Sequence, residues 1–148
     1  MDPILQVDHL SISFSQYDHG TQKHTLPVIR SLSLSLFSGQ VVAVVGSSGS
    51  GKSLLAHGIL GLLPYNSHME GTILYQGTPL TPQRIQSLRG REIVLVPQGV
   101  TYLDPLMKVG PQVRKGRSDP ASKEHARATL ARYGLGSAAE DLYPFELS

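Results

Sequence analysis

Apolar and polar residues alternate along two stretches near the start of the chain, residues 5–14 and residues 31–37. The apolar positions are Leu10, Ile12 and Phe14 in the first stretch, and Leu32, Leu34 and Leu36 in the second. Alternation with a period of two is typical of strands that bury one face and expose the other. The pattern predicts two antiparallel strands, with the polar residues 15–25 forming the loop between them.

Two shorter runs, residues 41–45 and 93–96, are apolar at every position and consist mainly of valine. Continuous β-branched residues favour strands that are covered on both faces, as in a parallel sheet beneath helices. A glycine-rich turn follows the first run, and the apolar residues after Gly51 recur at helical spacing up to Pro64. These residues are Leu55, Ile59 and Leu62. The order of strand, loop, helix and strand predicts an α/β fold.

Two further elements have clear end signals. Residues 71–77 form a short apolar run between glycines, which predicts one arm of a hairpin. Asp119 and Pro120 are good residues for the cap and first position of a helix, and Gly134 is a good terminator. The positions predicted to share one face of this helix are Ala126, Leu130 and Tyr133.

Composition narrows the class of protein. The chain has 148 residues, of which 40% are hydrophobic and 16% are charged, and it has no cysteine. These values fit one globular domain in a reducing compartment and exclude a disulfide framework or a thiolate metal cluster. The longest strictly apolar run, residues 41–45, is far shorter than the about 20 residues of a membrane span. We therefore expect a protein that is soluble or peripheral to a membrane.

Charge and histidine spacing bear on two other functions, nucleic-acid binding and transition-metal binding. Residues 84–132 contain ten basic and four acidic residues, which raises the possibility of a nucleic-acid partner. We expect no nucleic-acid partner, because the sequence predicts neither a basic strand interleaved with aromatic residues nor a recognition helix. The six histidines show no pair at i, i+4 and no nearby carboxylate cluster, so we predict no dedicated transition-metal site.

The loop before the first predicted helix matches the P-loop pattern G-x-x-x-x-G-K-[ST]. It consists of Gly46, Ser47, Ser48, Gly49, Ser50, Gly51, Lys52 and Ser53. The glycines let the backbone wrap a phosphate chain, and successive amides with the helix N-terminus form an anion cradle. Lys52 is expected to contact the β- and γ-phosphates, and the Ser53 hydroxyl to bind Mg²⁺. The predicted cofactors are ATP and Mg²⁺.

With these residues in place, the chain resembles the nucleotide-binding domain of an ABC transporter over nearly its whole length. Besides the P-loop, the resemblance is carried by the turn at residues 38–40 and by Gln98 after the second apolar run. Residues 102–110 and 143–148 are similar to the peptide and nickel importer subgroup. Asp104 stands where an asparagine is frequent there, and Gly99 replaces a more usual polar residue.

The resemblance implies further site residues. Phe14 occupies the place of the aromatic residue that stacks on adenine, with Tyr17 as the alternative and an ordinary core role for Phe14 also open. Gln98 corresponds to the Q-loop glutamine, which is implied to contact Mg²⁺ or the attacking water and to link the nucleotide to the membrane partner. Gln98 and Lys52 are the implied catalytic groups, and Ser53 and Gln98 the implied metal ligands.

The resemblance also implies a domain plan. A P-loop NTPase core is expected at about 41–63 and 92–98, and an antiparallel β-subdomain at about 1–40 and 70–80. The Q-loop and the start of a helical subdomain are expected at about 99–148. Leu147 and Ser148 match the first two residues of the ABC signature. The rest of the signature, the Walker B acid and the switch histidine are not present, so the domain is expected to be incomplete and the chain alone inactive as an ATPase.

As a function, we expect an ATP-binding subunit, or its N-terminal part, that energises an ABC importer of peptides, nickel or a metal–chelator complex. The implied partners are membrane subunits, a second ATP-binding subunit and, indirectly, an extracellular solute-binding protein, and the implied location is the cytoplasmic face of the cell membrane. Two alternatives remain open: a nucleotide-binding fragment without catalysis, and a P-loop ATPase that handles nucleic acid.

Overall fold

The computed structural model describes residues 2–17, 23–97, 99 and 102–147. Its contacts group into two compact units, Met1–Leu95 and Val96–Ser148. Each unit has its own small apolar core.

The first unit is built on a four-stranded antiparallel sheet with the order β2-β1-β3-β4. The strands are β1 (Leu5–Tyr17), β2 (Lys23–Leu36), β3 (Ser67–Tyr75) and β4 (Thr78–Pro79). The two predicted N-terminal strands and the hairpin arm at 71–77 are confirmed. The first two strands extend into residues predicted as loop, since Tyr17 pairs with Lys23.

Bulges bend this sheet at one level. The β1 register shifts around His9 against both neighbours, and His9 and Ser31 have positive φ angles of 50° and 47°. The extra residue places both Val7 and Leu10 on the core face, where each is fully buried. Gly71 lies against the bulge with φ 107°, and a Cβ there would be 2.7 Å from the carbonyl oxygens of Asp8 and His9. Only glycine fits this close approach of backbones.

Helix α1 (Lys52–Ile59) covers the apolar face of the sheet. Leu55 is buried beside Leu10, Ile12 and Ile73 in the core of this unit. Helix α2 (Pro82–Leu88) follows β4, and Thr81 caps it by accepting a hydrogen bond from the Arg84 amide at 3.3 Å. The helix after the glycine-rich loop is therefore confirmed, and α2 was not predicted.

The end of α1 differs from the prediction. The helix stops at Ile59 and not at Pro64, because Gly61 takes a left-handed conformation with φ 62° and the Leu62 amide bonds back to the His57 carbonyl. Leu62 consequently lies outside the helix and is exposed.

The two predicted buried strands are wrong for this structure. Residues 41–45 form no strand, and Val41 and Val45 are 95% and 88% exposed. In residues 93–96 Ile93 makes one isolated bridge to Arg89, and Val94 and Val96 are exposed. A strand covered on both faces needs neighbouring strands, and within the described residues none pairs with either run.

Arg84 and Tyr75 connect the start of α2 to β3 and β4. The Arg84 guanidinium lies 5.7 Å from the Tyr75 ring centroid and donates to the Thr78 carbonyl. The Tyr75 hydroxyl donates to Glu92 at 3.2 Å. Burial is the main cause that raises the pKa of Tyr75, and the hydrogen bond with the Glu92 carboxylate raises it further. The hydroxyl therefore stays protonated.

The second unit contains helices α3 (Val109–Val113) and α4 (Pro120–Arg132), with 3₁₀ turns at Ser137–Asp141 and Pro144–Glu146. The predicted helix is confirmed as α4: Asp119 caps it by accepting from the Ser122 amide at 2.9 Å. Its buried face contains Ala126 and Leu130, but Tyr133 is 76% exposed because it follows the last helical residue.

Glu140 is buried in the second unit. Its Oε2 accepts a hydrogen bond from Arg114 Nη1 at 3.3 Å. Its Oε1 lies 3.0 Å from Arg127 Nε and forms an ion pair with it, but the geometry of this pair is not that of a hydrogen bond. Gly110 allows this packing, since a Cβ there would be 2.9 Å from the Glu140 carbonyl oxygen. Among the helices of the described residues, none has the length and apolar character needed to cross a bilayer.

Candidate functional site

The glycine-rich loop lies between β2 and α1 in sequence and packs against β2 in space. A Cβ on Gly51 would be 3.1 Å from Val28 Cγ1 and 3.2 Å from Ile29 Cγ1. Ile29 belongs to the buried core of the sheet. The last glycine of the loop is therefore supported by the antiparallel sheet, and this fixes where α1 begins.

Two loop glycines adopt conformations that other residues resist. Gly49 has φ 77° and Gly51 has φ 92°. The Ser50 amide donates to the Ser47 carbonyl at 3.2 Å, which closes a tight turn. Gly46 lets Ser50 approach, because a Cβ on it would be 2.6 Å from Ser50 Oγ. The backbone thus needs glycine at Gly49 and Gly51, and at Gly46 the glycine makes room for the Ser50 side chain.

Lys52 is the first residue of α1, and its side chain folds back over the loop. Its Nζ donates to the carbonyl oxygens of Gly46 at 2.9 Å and Ser47 at 2.6 Å, and to Ser50 Oγ at 3.3 Å. All three acceptors are neutral, so an anion within the loop would be a stronger partner for the ammonium group.

The N-terminus of α1 has no side-chain cap. Gly51 is the N-cap residue and carries no side chain, and the first turn contains no acidic residue. The first amides of a helix have no partner within the helix, and the helix dipole makes this end positive. The amide donors and Lys52 therefore lie together at the start of α1, and the next residue, Ser53, is exposed.

This arrangement fits a polyphosphate with its magnesium ion. The uncapped amides and Lys52 are donors for phosphate oxygens. Ser53 supplies a neutral hydroxyl oxygen, which can coordinate Mg²⁺ together with phosphate oxygens. Within the described ranges, no group of three or more histidine, aspartate or glutamate residues is placed to hold a metal by itself. A bound Mg²⁺ would therefore depend on the phosphates for most of its coordination.

The other predicted site residues are less closely defined. Phe14 is half-buried, pairs with Leu26 and Ser67 across the sheet, and packs against the core of the first unit. Tyr17 is 71% exposed. Gln98 lies outside the described residues, so its Q-loop role stays a prediction, as does adenine stacking by Phe14.

Sequence reasoning missed the groups that support the loop from outside. Val28 and Ile29 of β2 follow Pro27 and precede the alternating residues 31–37. A bulge lies between them and that stretch. Their apolar, β-branched character was the one available signal. The Ser50 hydroxyl was included in the motif, but its contact with Lys52 could not be inferred from spacing.

A glycine-rich loop closed by the lysine that starts an uncapped helix defines the class: a P-loop phosphate-binding protein. The family model described as "ABC transporter" matches residues 29–148. The chain belongs to the ABC transporter family and corresponds to part of its ATP-binding domain.

Curated relatives carry peptide transport in their names. The chain is 31% identical to the dipeptide transport ATP-binding protein DppD of Bacillus subtilis, over 100% of its own length and 47% of the relative. It is 36% identical to the oligopeptide transport ATP-binding protein OppD of the same organism, over 84% of its length and 36% of that protein. The chain thus spans less than half of these relatives.

A solved structure shares the fold. The chain superposes on a bacterial Atm1-family ABC exporter with ATP bound, with a TM-score of 0.57 and 23% identity. The match covers 99% of this chain and 25% of the exporter. The expected fold class, a mixed α/β P-loop fold with an antiparallel β-subdomain, is confirmed.

Proposed function

We propose that the chain binds Mg·ATP through Gly46–Ser53 and forms the N-terminal part of an ATP-binding subunit of an ABC importer. The observation that carries the first statement is the Lys52 ammonium held over the loop at an uncapped helix start. The partial coverage of the relatives supports the second statement. So does the exposed valine run at residues 41–45, which directly precedes the loop in sequence and whose composition favours a strand.

Peptides are the proposed transported solute. The two Bacillus relatives are named for dipeptide and oligopeptide transport, whereas nickel and metal chelators rest on the sequence resemblance alone. We propose that the complete protein works with membrane subunits and a second ATP-binding subunit at the cytoplasmic face of the membrane, and that an extracellular solute-binding protein delivers the peptide. Replacing Lys52 in the cell should stop di- and oligopeptide uptake, whereas loss of nickel uptake alone would contradict this assignment.

The isolated chain is proposed to bind ATP without hydrolysing it. Among the described residues, no carboxylate makes an ion pair or hydrogen bond with the loop, and Glu92 and Glu140 are engaged elsewhere. Phosphoryl transfer to water needs a group that positions the water as well as a phosphate cradle. Phosphate release above the level of a Lys52→Ala variant would contradict this statement.

Heat protection tests the binding. A ligand that binds only the folded chain stabilises it, by about 2.7 kcal/mol at one hundred times its Kd. Mg·ATP should raise the unfolding temperature of the unaltered chain and of Lys23→Ala, in which an exposed lysine of β2 is removed. It should have no effect on Lys52→Ala. Equal protection of all three proteins would exclude the loop as the binding site.

A further inference from the structure

A cavity of about 280 Å³ lies in the first unit, at the end of α1 opposite Lys52. The end of α1, strand β3 and helix α2 form its walls, and Gly58, Gly61 and Gly71 are among the residues that line it. Its apolar side chains are those of Ile59, Met69, Ile73, Leu80, Pro82 and Ile85. The volume is near the lower end of the range for small-molecule pockets.

Arg89 is a half-buried cation among the residues that line this apolar cavity. It lines the cavity just beyond the end of α2, and its Nε is buried with no hydrogen-bond partner in the described part of the chain. Among the described residues, the Arg89 side chain makes no ion pair and no hydrogen bond. A buried donor without an acceptor destabilises the folded chain, and more so when it is charged.

The cavity lining indicates which ligand would pair with Arg89. Arg89 is the one charged residue among the described residues that line the cavity. A doubly charged phosphate would lose its water without gaining a second cation, whereas one carboxylate matches one guanidinium in charge and in planar geometry. The apolar walls would then contact a hydrocarbon portion.

We propose that this cavity is a second ligand site, distinct from the P-loop, for a small apolar monocarboxylate. The carboxylate accepts hydrogen bonds from Arg89, and the hydrocarbon portion packs against Met69 and the neighbouring aliphatic side chains. This proposal stands on the cavity and Arg89, and it does not depend on nucleotide binding.

Methionine methyl resonances give a local test on the full chain. The chain has three methionines; Met69 lines the cavity, and Met107 belongs to the second unit. Titration with octanoate of protein carrying ¹³C-methyl methionine should shift the Met69 resonance in a saturable way and leave Met107 in place. Octanol has the same chain without the charge, and it should bind about tenfold more weakly, since hydrogen bonds to charged groups are the stronger ones.

Two matched variants assign the charge. Arg89→Met should reduce octanoate affinity about tenfold and leave octanol affinity unchanged, while Arg91→Met, at an exposed arginine two residues later, should change neither. Equal affinity for octanoate and octanol in the unaltered chain would overturn the proposal whether or not Arg89→Met folds. An unmoved Met69 resonance, or equal shifts of Met69 and Met107, would also overturn it.

Discussion

Val28 of β2 packs against Gly51, the glycine that precedes the P-loop lysine, so that a Cβ on Gly51 would be 3.1 Å from Val28 Cγ1. The antiparallel sheet therefore sets the position from which α1 starts. The loop is held at its helical end by this packing and at its other end by the bonds from Lys52 to Gly46 and Ser47.

This packing predicts different costs at two glycines that both have a positive φ, Gly49 at 77° and Gly51 at 92°. Gly49→Ala should cost about 1–2 kcal/mol, because alanine is strained at positive φ, and a Cβ there meets no atom within 4 Å. Gly51→Ala should cost more, since its Cβ also crowds Val28 and Ile29. Urea unfolding of both variants measures the difference, and equal free energies of unfolding would refute the packing role of Gly51.

The bulged level of the sheet predicts a larger effect at Gly71. A Cβ there would be 2.7 Å from two backbone oxygens, which cannot move aside as a side chain can. Gly71→Ala should destabilise the first unit by about 3 kcal/mol or more. The matched control is Gly77→Ala, where φ is 71° and no atom lies within 4 Å of the added Cβ. Similar losses at the two positions would show that the bulge does not require glycine.

The ion pairs of Glu140 and Asp141 are adjacent in sequence but differ in burial. The side chains of Glu140 and Arg114 are 11% and 13% exposed, whereas Asp141, which pairs with Lys108, is 80% exposed. Glu140→Ala leaves Arg114 buried without its carboxylate and should cost about 3–5 kcal/mol. Asp141→Ala should cost less than about 1 kcal/mol. Chemical unfolding of the two variants compares them, and a larger loss at Asp141 would contradict the burial argument.

The cap of α4 predicts a dependence on acid pH. Hydrogen bonds from Ser122 to the Asp119 carboxylate lower the pKa of Asp119 below its ordinary value of 3.8. A lowered pKa in the folded state means that the cap stabilises above pH 3.8 and that this contribution is lost as the pH falls through the lower value.

Asn is as good a cap as Asp but does not titrate in this range. Near neutral pH, Asp119→Asn should therefore leave the stability of α4 unchanged. At acid pH, the stability of α4 should fall less in the variant than in the unaltered chain. Helix content followed by circular dichroism across the acid range checks this. An identical acid profile in the variant would show that another group is responsible.

Much of the antiparallel sheet and the loop could be predicted from local patterns. Alternation placed Leu10, Ile12 and Leu34 on one face, and the motif placed Gly49, Gly51 and Lys52 where the backbone and the helix start require them. These features depend on neighbours in sequence, which is why a pattern of spacing is sufficient to find them.

Features that depend on distant partners were not predictable. The valines at 41–45 have the composition of a buried strand, but burial needs neighbouring strands, and no described segment supplies them. The bulge at His9 depends on how β1 pairs with both of its neighbours. The partners of Glu140 lie 26 and 13 residues away in sequence, so composition gave no sign of them.

The central claim, that Gly46–Ser53 binds the phosphates of ATP, is tested most directly at the backbone amides of the loop. Titrating ¹⁵N-labelled chain with Mg·ATP should shift the amide resonances of Gly49, Gly51 and Lys52 in a saturable way, and tripolyphosphate should shift the same resonances. Adenosine should leave them unchanged. If Mg·ATP leaves these three amides in place, or shifts them equally in Lys52→Ala, the loop does not bind phosphate and the claim is wrong.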